Sequence, residues 1–169
     1  MMVPPIERTH LAIISVKPED NATSMWKSRK YVPAYRSWGN EPEWEQTDPA
    51  VIQPREGTRY LGPLVVLTGP STYSSVEDFL VPLTSSGRAV LVGGRTAGST
   101  GNPIYVDLPG GGKFRVVSKR DTFPDGTEFV GYGITPDVIV EPTQQDLFEG
   151  RDPVLEAGID AIANWTPGS

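Results

Sequence analysis

Pro63-Leu64-Val65-Val66-Leu67-Thr68, Thr72-Tyr73-Ser74-Ser75-Val76-Glu77-Asp78-Phe79 and Gly87-Arg88-Ala89-Val90-Leu91-Val92-Gly93-Gly94 follow one another in the middle of the chain. The first run is short, apolar and rich in valine, the pattern of a buried strand. In the second, Val76, Phe79, Leu80 and Leu83 fall at i, i+3, i+4 and i+7, the stripe of an amphipathic helix that ends near Gly87. Ser75, with Asp78 three residues later, forms a capping-box-like start. Residues 88–92 make a second buried strand, so strand, helix and strand predict a parallel α/β unit with a right-handed crossover. A serine where a buried strand turns into a helix has its hydroxyl at the rim of the sheet, beside backbone N–H groups that can hold an oxyanion. Ser74 is therefore a candidate nucleophile and the Ser75 N–H a candidate oxyanion donor. The plainer alternative is that Ser-Ser before a helix only caps it.

Downstream, residues 104–108 and 113–118 flank Pro109-Gly110-Gly111-Gly112 and predict a β-hairpin, and Val138-Ile139-Val140 predicts another strand. Asp152-Pro153 reads as an N-cap followed by proline at the first helical position, with Val154, Leu155, Ile159 and Ile162 on one face of a closing helix. Upstream, residues 10–16 predict a short buried strand. Residues 17–59 show no sustained period and carry Trp26, Tyr31, Tyr35, Trp38 and Trp44. Those aromatics either pin an irregular segment to the core or line a substrate groove. The expected division is an irregular segment over 1–59 and a catalytic region over 60–169, with no internal repeat.

At 169 residues and 37% hydrophobic content, the composition fits one globular core. A formal charge of −6 argues against nucleic acid as a partner, because phosphate binding needs a basic footprint. With no cysteine and one histidine, disulfides and thiolate chemistry are excluded and a histidine-based metal site is disfavoured; no cofactor is expected. No apolar stretch is long enough to span a bilayer, so no membrane partner is expected, and the start Met1-Met2-Val3-Pro4-Pro5 lacks the features of a signal peptide. Gly93-Gly94-Arg95-Thr96-Ala97-Gly98-Ser99-Thr100-Gly101 lacks the Gly-Lys-Ser/Thr ending of a phosphate loop and is followed by no helical pattern, which rules against nucleotide binding.

The succession V-V-L-T-x-x-x-T-Y-S-S-V-E-D-F, G-R-A-V-L-V-G-G-R-T-A-G-S-T-G, L-P-G-G-G and P-D-G-T-E-F-V-G-Y-G-I-T-P-D-V-I-V resembles the carboxyl-terminal processing (tail-specific) serine peptidases over residues 60–165. More narrowly, it looks like the branch that includes the tricorn protease core and the interphotoreceptor retinoid-binding protein repeats. The resemblance implies a crotonase-like α/β fold, Ser74 as nucleophile, and a groove bordered by Gly93, Gly94, Thr96, Gly98, Ser99 and Thr100 that pairs with an extended peptide. It implies a peptide or unfolded protein as substrate, an extracytoplasmic setting and a possible homo-oligomer. Residues 1–20 fit the resemblance poorly. The D-x-R-x-N-x-G-G segment that these peptidases carry upstream does not occur in residues 1–60, so the chain is expected to be the C-terminal part of a longer protein or a truncated product, with an incomplete site.

The general base is the open question. The processing peptidases place a lysine about 25 residues and an aspartate about 11 residues after the nucleophile, where this chain has Ser99 and Ser85. The tricorn-like branch uses a histidine from far upstream and a glutamate just before G-x-x-P-D. That motif is here Gly133-Ile134-Thr135-Pro136-Asp137, with Glu128 the nearest preceding carboxylate, either supporting a base or lying on the surface beside a turn. Lys119 is either a desolvated general base or an exposed strand-end lysine. Glu77 is either catalytic support or charge complementing the helix dipole. His10, at the start of an apolar strand, is expected to be structural. Two functions remain: a serine peptidase region acting through a Ser74 acyl-enzyme, and a non-catalytic module binding a peptide or an apolar ligand on the same fold.

Overall fold

To return parallel to a strand the chain needs a long crossover, usually a helix, and residues 65–93 supply one. The structure is a computed structural model, which describes Ile13–Ile14, Thr23–Ser24, Lys27–Tyr31, residues 44–49, Val51–Ile52 and residues 59–165. In chain order the elements are β1 (Ile13–Ile14), β2 (Thr23–Ser24), β3 (Lys27–Tyr31), β4 (Trp44–Thr47), β5 (Val51–Ile52), β6 (Arg59–Tyr60) and β7 (Val65–Thr68). Then come α1 (Ser75–Ser85), β8 (Val90–Gly93), β9 (Pro103–Asp107), β10 (Lys113–Val117), β11 (Lys119–Thr122), β12 (Val138–Ile139), α2 (Gln144–Glu149) and α3 (Pro153–Ala163).

The central sheet has the order β12-β8-β7, with both pairs parallel. A parallel sheet has to be covered on both faces. Leu80 and Val81 of α1 form the core with Leu91, Phe129 and Ile134, and Val66, Phe123 and Val130 pack against it. Phe123 and Phe129 meet edge to face with centroids 5.4 Å apart. On the other face α3 lies so close to β7 that a Cβ on Gly158 would stand 2.8 Å from Leu67. Glycine at that position lets helix and strand approach.

The predicted hairpin forms: β9 and β10 pair antiparallel from Pro103↔Val117 to Asp107↔Lys113. The closing helix forms too, with the Asp152 carboxylate accepting the Leu155 N–H at 3.0 Å and Pro153 at its start. α2 was not foreseen; it is opened by a capping box in which Thr143 and Asp146 bond reciprocally. The expectation that residues 17–59 lack strands is corrected. β3 pairs antiparallel with both β4 and β11, and β2 with β5. These strands are short and mostly polar, so neither an apolar run nor a clear alternation marks them. Trp26, Tyr35, Trp38 and His10 lie outside the described residues.

Candidate active site

Helix α1 begins at Ser75, which leaves Ser74 at the cap position with φ 60° and ψ −133°. Positive φ in a non-glycine residue costs about 1–3 kcal/mol and persists only where the surroundings enforce it. They do so through the backbone. The Ser74 N–H donates to the Ser99 carbonyl at 2.9 Å, and the Ser74 carbonyl accepts the N–H groups of Glu77 at 2.8 Å and Asp78 at 3.2 Å. The Ser74 hydroxyl makes no capping bond. The capping-box start expected of Ser75 and Asp78 is thus corrected: the cap position falls on Ser74, and the Asp78 carboxylate is occupied by the Thr100 hydroxyl at 3.1 and 3.2 Å. Ser75, at the first helical position, presents an N–H without an intrahelical partner.

Glu77 explains why the following loop sits where it does. Fully buried, its carboxylate accepts the Thr96 hydroxyl at 2.5 Å, the Gly98 N–H at 2.7 Å and the Ser99 N–H at 2.8 Å. Thr96 Oγ1 accepts in turn the Ile134 N–H at 2.7 Å. Gly98, at φ 65°, is pressed against the next loop, where a Cβ would lie 2.5 Å from the Gly133 N. Glu77 thus fixes Ser99 by its N–H, and the Ser99 carbonyl is the acceptor of the Ser74 N–H. Of the two roles considered for Glu77, complementing the helix dipole describes least of what this side chain touches.

Ser74, Ser75, Asp78, Thr100, Asn102, Pro103 and Lys119 line one cleft of about 310 Å³. Lys119 is therefore not an exposed strand-end lysine. Its side chain is 21% exposed and its Nζ lies 2.8 Å from Asp121 Oδ2, on an aspartate that is fully buried. The other Asp121 oxygen accepts the Ser28 hydroxyl at 2.6 Å, across the register that pairs Asp121 with Ser28. Burial raises the Asp78 carboxyl above its ordinary value; the Thr100 hydrogen bond opposes this, the charges of Asp121 and Glu77 add to it and that of Lys119 opposes it.

Of the remaining predicted site residues, Thr96, Gly98 and Thr100 are buried and Ser99 is exposed, all within the loop that borders α1. Gly93 ends β8 with its N-terminal neighbours buried, and Gly94 donates to the Thr68 carbonyl at 3.0 Å. Glu128 is not brought to the cleft: it pairs with Arg120 at 2.8 Å and bridges to Thr122. Asp137, in G-x-x-P-D, accepts the Leu91 N–H at 2.7 Å and fixes the start of β8. Asp78, Asp121 and Ser28 were missed as site residues. Asp78 reads in the sequence as a capping-box partner and Asp121 as a neighbour of an exposed strand-end lysine; the pairing of β11 with β3 buries the latter.

Residues 15–140 match the sequence model of Peptidase family S41. The chain belongs to that family. A carboxy-terminal-processing protease of Bartonella bacilliformis is 29% identical over 93 residues, 55% of this chain and 21% of that protein. Among solved structures, a protein of Parabacteroides merdae described as a candidate peptidase superposes with a TM-score of 0.71 at 24% identity, over 89% of this chain and 46% of that one. Mature CPAF gives 0.70 at 17%, over 89% and 40%, and the photosystem II D1 C-terminal processing protease gives 0.52 at 22%, over 86% and 33%. The chain thus spans less than half the length of these relatives. Membership of S41 bears out the resemblance to carboxyl-terminal processing peptidases, and the solved relatives share its mixed α/β fold. Among the described residues, no group of three or more His, Asp or Glu side chains stands ready to hold a metal, and no helix is long and apolar enough to cross a membrane.

Proposed function

We propose that the chain carries the nucleophile region of a serine peptidase acting on peptides or unfolded protein. Ser74 Oγ attacks the scissile carbonyl, the Ser75 N–H at the positive end of α1 stabilises the oxyanion, and water then hydrolyses the acyl-enzyme. Lys119 brings a cationic group into the same cleft, where it stabilises negative charge developing on Ser74 Oγ. Glu128 contributes through Arg120, by fixing the strand that carries Lys119. The loop of Gly93, Gly94, Thr96, Gly98, Ser99 and Thr100 forms the wall against which an extended peptide lies. Residues 60–169 form the catalytic region of a crotonase-like domain, a reading supported by the parallel sheet with a helix on each face.

One observation carries this proposal: Ser74 is held at positive φ with its hydroxyl unused as a cap, in a cleft it shares with Lys119. A cap alone needs neither the strain nor the cleft. The test is exposure of the purified chain to a fluorophosphonate probe, together with hydrolysis of unfolded casein. Wild-type protein is expected to take up one probe molecule and Ser74→Ala none. Binding of peptides by a protein that never reacts with the probe would instead establish the non-catalytic module.

A further inference from the structure

A substrate lying against residues 93–100, the reading on which this step rests, meets a loop that is held from both sides. The Ala97 N–H donates to the Thr72 carbonyl and the Ser74 N–H to the Ser99 carbonyl, both at 2.9 Å, which ties the loop to the segment carrying Ser74. On its other side the Thr96 N–H donates to the Ile134 carbonyl at 3.1 Å, and the Gly98 carbonyl accepts the Gly131 N–H at 2.7 Å. Thr96, Gly98 and Thr100 are buried, while Arg95, Ala97 and Ser99 are exposed. Alternate side chains of a fixed backbone therefore face solvent beside the nucleophile segment.

Three large side chains stand out of these segments. Tyr73, next to Ser74, is 59% exposed, and Tyr132, in the loop that holds Gly98, is 62% exposed. Arg95 is exposed too, and its stem lies against that same loop, where a Cβ on Gly133 would stand 3.0 Å from Arg95 Cγ. Among the described residues no hydrogen bond or ion pair engages its guanidinium. Cations elsewhere are held: Lys113 by Asp107, Lys119 by Asp121, Arg120 by Glu128 and Arg151 by Asp146. A guanidinium presents its N–H donors in a planar fork that fits a carboxylate with two parallel hydrogen bonds. Exposed tyrosines on the flanking segments add contact area at low cost in conformational freedom.

We propose that Arg95 selects substrates that carry a carboxylate, which its guanidinium holds while Tyr73 and Tyr132 contact the neighbouring apolar part of the peptide. That carboxylate comes either from an aspartate or glutamate side chain or from the free C-terminus of the peptide. Arg95 sets specificity: it touches the substrate away from the reacting bond and takes no part in proton transfer. Lys119 is not its equivalent, because the Lys119 Nζ is paired with Asp121. Attraction between exposed charges is screened by salt, so the selection weakens as ionic strength rises.

The experiment measures binding, which separates this residue from the chemistry. The whole chain carrying Ser74→Ala is titrated, at low salt and by fluorescence anisotropy, into labelled peptides of otherwise identical sequence. One has a central glutamate and an amidated C-terminus, one a central glutamine and a free C-terminus, and one a central glutamine and an amidated C-terminus. A carboxylate peptide is expected to bind about 10-fold tighter than the neutral one, and which of the two does so identifies the source. Arg95→Gln should bring that peptide to the affinity of the neutral one and leave the neutral one unchanged, a pattern that loss of structure does not produce. Arg95→Lys should restore part of the preference. Equal affinity for all three peptides, or a preference that survives Arg95→Gln, overturns Arg95 as the selecting residue and leaves Ser74 standing. No binding of any peptide overturns the substrate wall, and Arg95 with it. A wild-type chain that never takes up fluorophosphonate yet shows the Arg95-dependent preference overturns Ser74 alone.

Discussion

The β9–β10 hairpin and the start of α1 are both well formed, yet they are built in opposite ways. Every residue of β9 and β10 is exposed, apolar ones such as Tyr105 and Phe114 included, so the hairpin stands on its backbone ladder and cross-strand pairs. The start of α1 has little regular pairing. There the backbone is strained at Ser74, buried polar groups outnumber apolar ones, and Glu77, Thr96, Gly98 and Ser99 satisfy one another across two loops. The hairpin resembles a structure that tolerates change, and the helix start one that fixes a single geometry. Chemistry is expected where the geometry is fixed.

The sharpest way to break this contrast is Glu77→Ala. It strands the Thr96 hydroxyl and the Gly98 and Ser99 N–H groups in a buried site, which costs about 3 kcal/mol or more. Urea unfolding should show that loss, and Ser74 should stop reacting with fluorophosphonate because the Ser99 carbonyl no longer holds it. In the hairpin, Gly111 at φ 83° has nothing within 4 Å of an added Cβ, so Gly111→Ala pays only the left-handed backbone term, about 1 kcal/mol. Ser74 reactivity should not change. Equal losses in the two variants would erase the distinction between the regions.

Two carboxylates sharpen it through pH, with opposite signs. The folded state raises the Asp78 carboxyl, so the native protein binds this proton more tightly than the unfolded chain and stability falls as pH rises through that raised value. Asp78→Asn should therefore melt higher than wild type at pH 7, a gain that shrinks as pH falls below the raised value. Asp146 is the reverse case: the Thr143 hydrogen bonds and Arg151 lower its carboxyl to about 2. Its stabilisation is present above the ordinary aspartate value and is lost as pH falls toward 2. Melting curves of Asp146→Asn should show a small decrease at pH 7 that vanishes in acid.

Much of the frame was legible in the chain. Residues 63–93 announce strand, helix and strand by valine runs and a 3.6-residue stripe, and Asp152-Pro153 announces α3, although only Leu80 and Leu83 of the α1 stripe are buried while Val76, Phe79, Leu155, Ile159 and Ile162 are exposed. Ser74 was legible as the residue between two such patterns. What stayed hidden was polar and non-local. Nothing near Lys119 in sequence says that Asp121 is buried, since the burial comes from β3, whose Ser28 is 93 residues away. Asp78 looked like a cap because its partner Thr100 lies in another loop. Glu128 looked close to the site because nearness to the G-x-x-P-D motif was its signal, while the structure gives it to Arg120.

The most direct measurement is the position of the fluorophosphonate adduct. Trypsin releases residues 60–88 as one peptide containing Ser71, Ser74, Ser75, Ser85 and Ser86, so fragmentation within it separates the candidates. The account predicts one adduct, on Ser74, in the wild-type chain. An adduct on any other serine, or a wild-type chain that stays unmodified, would contradict it.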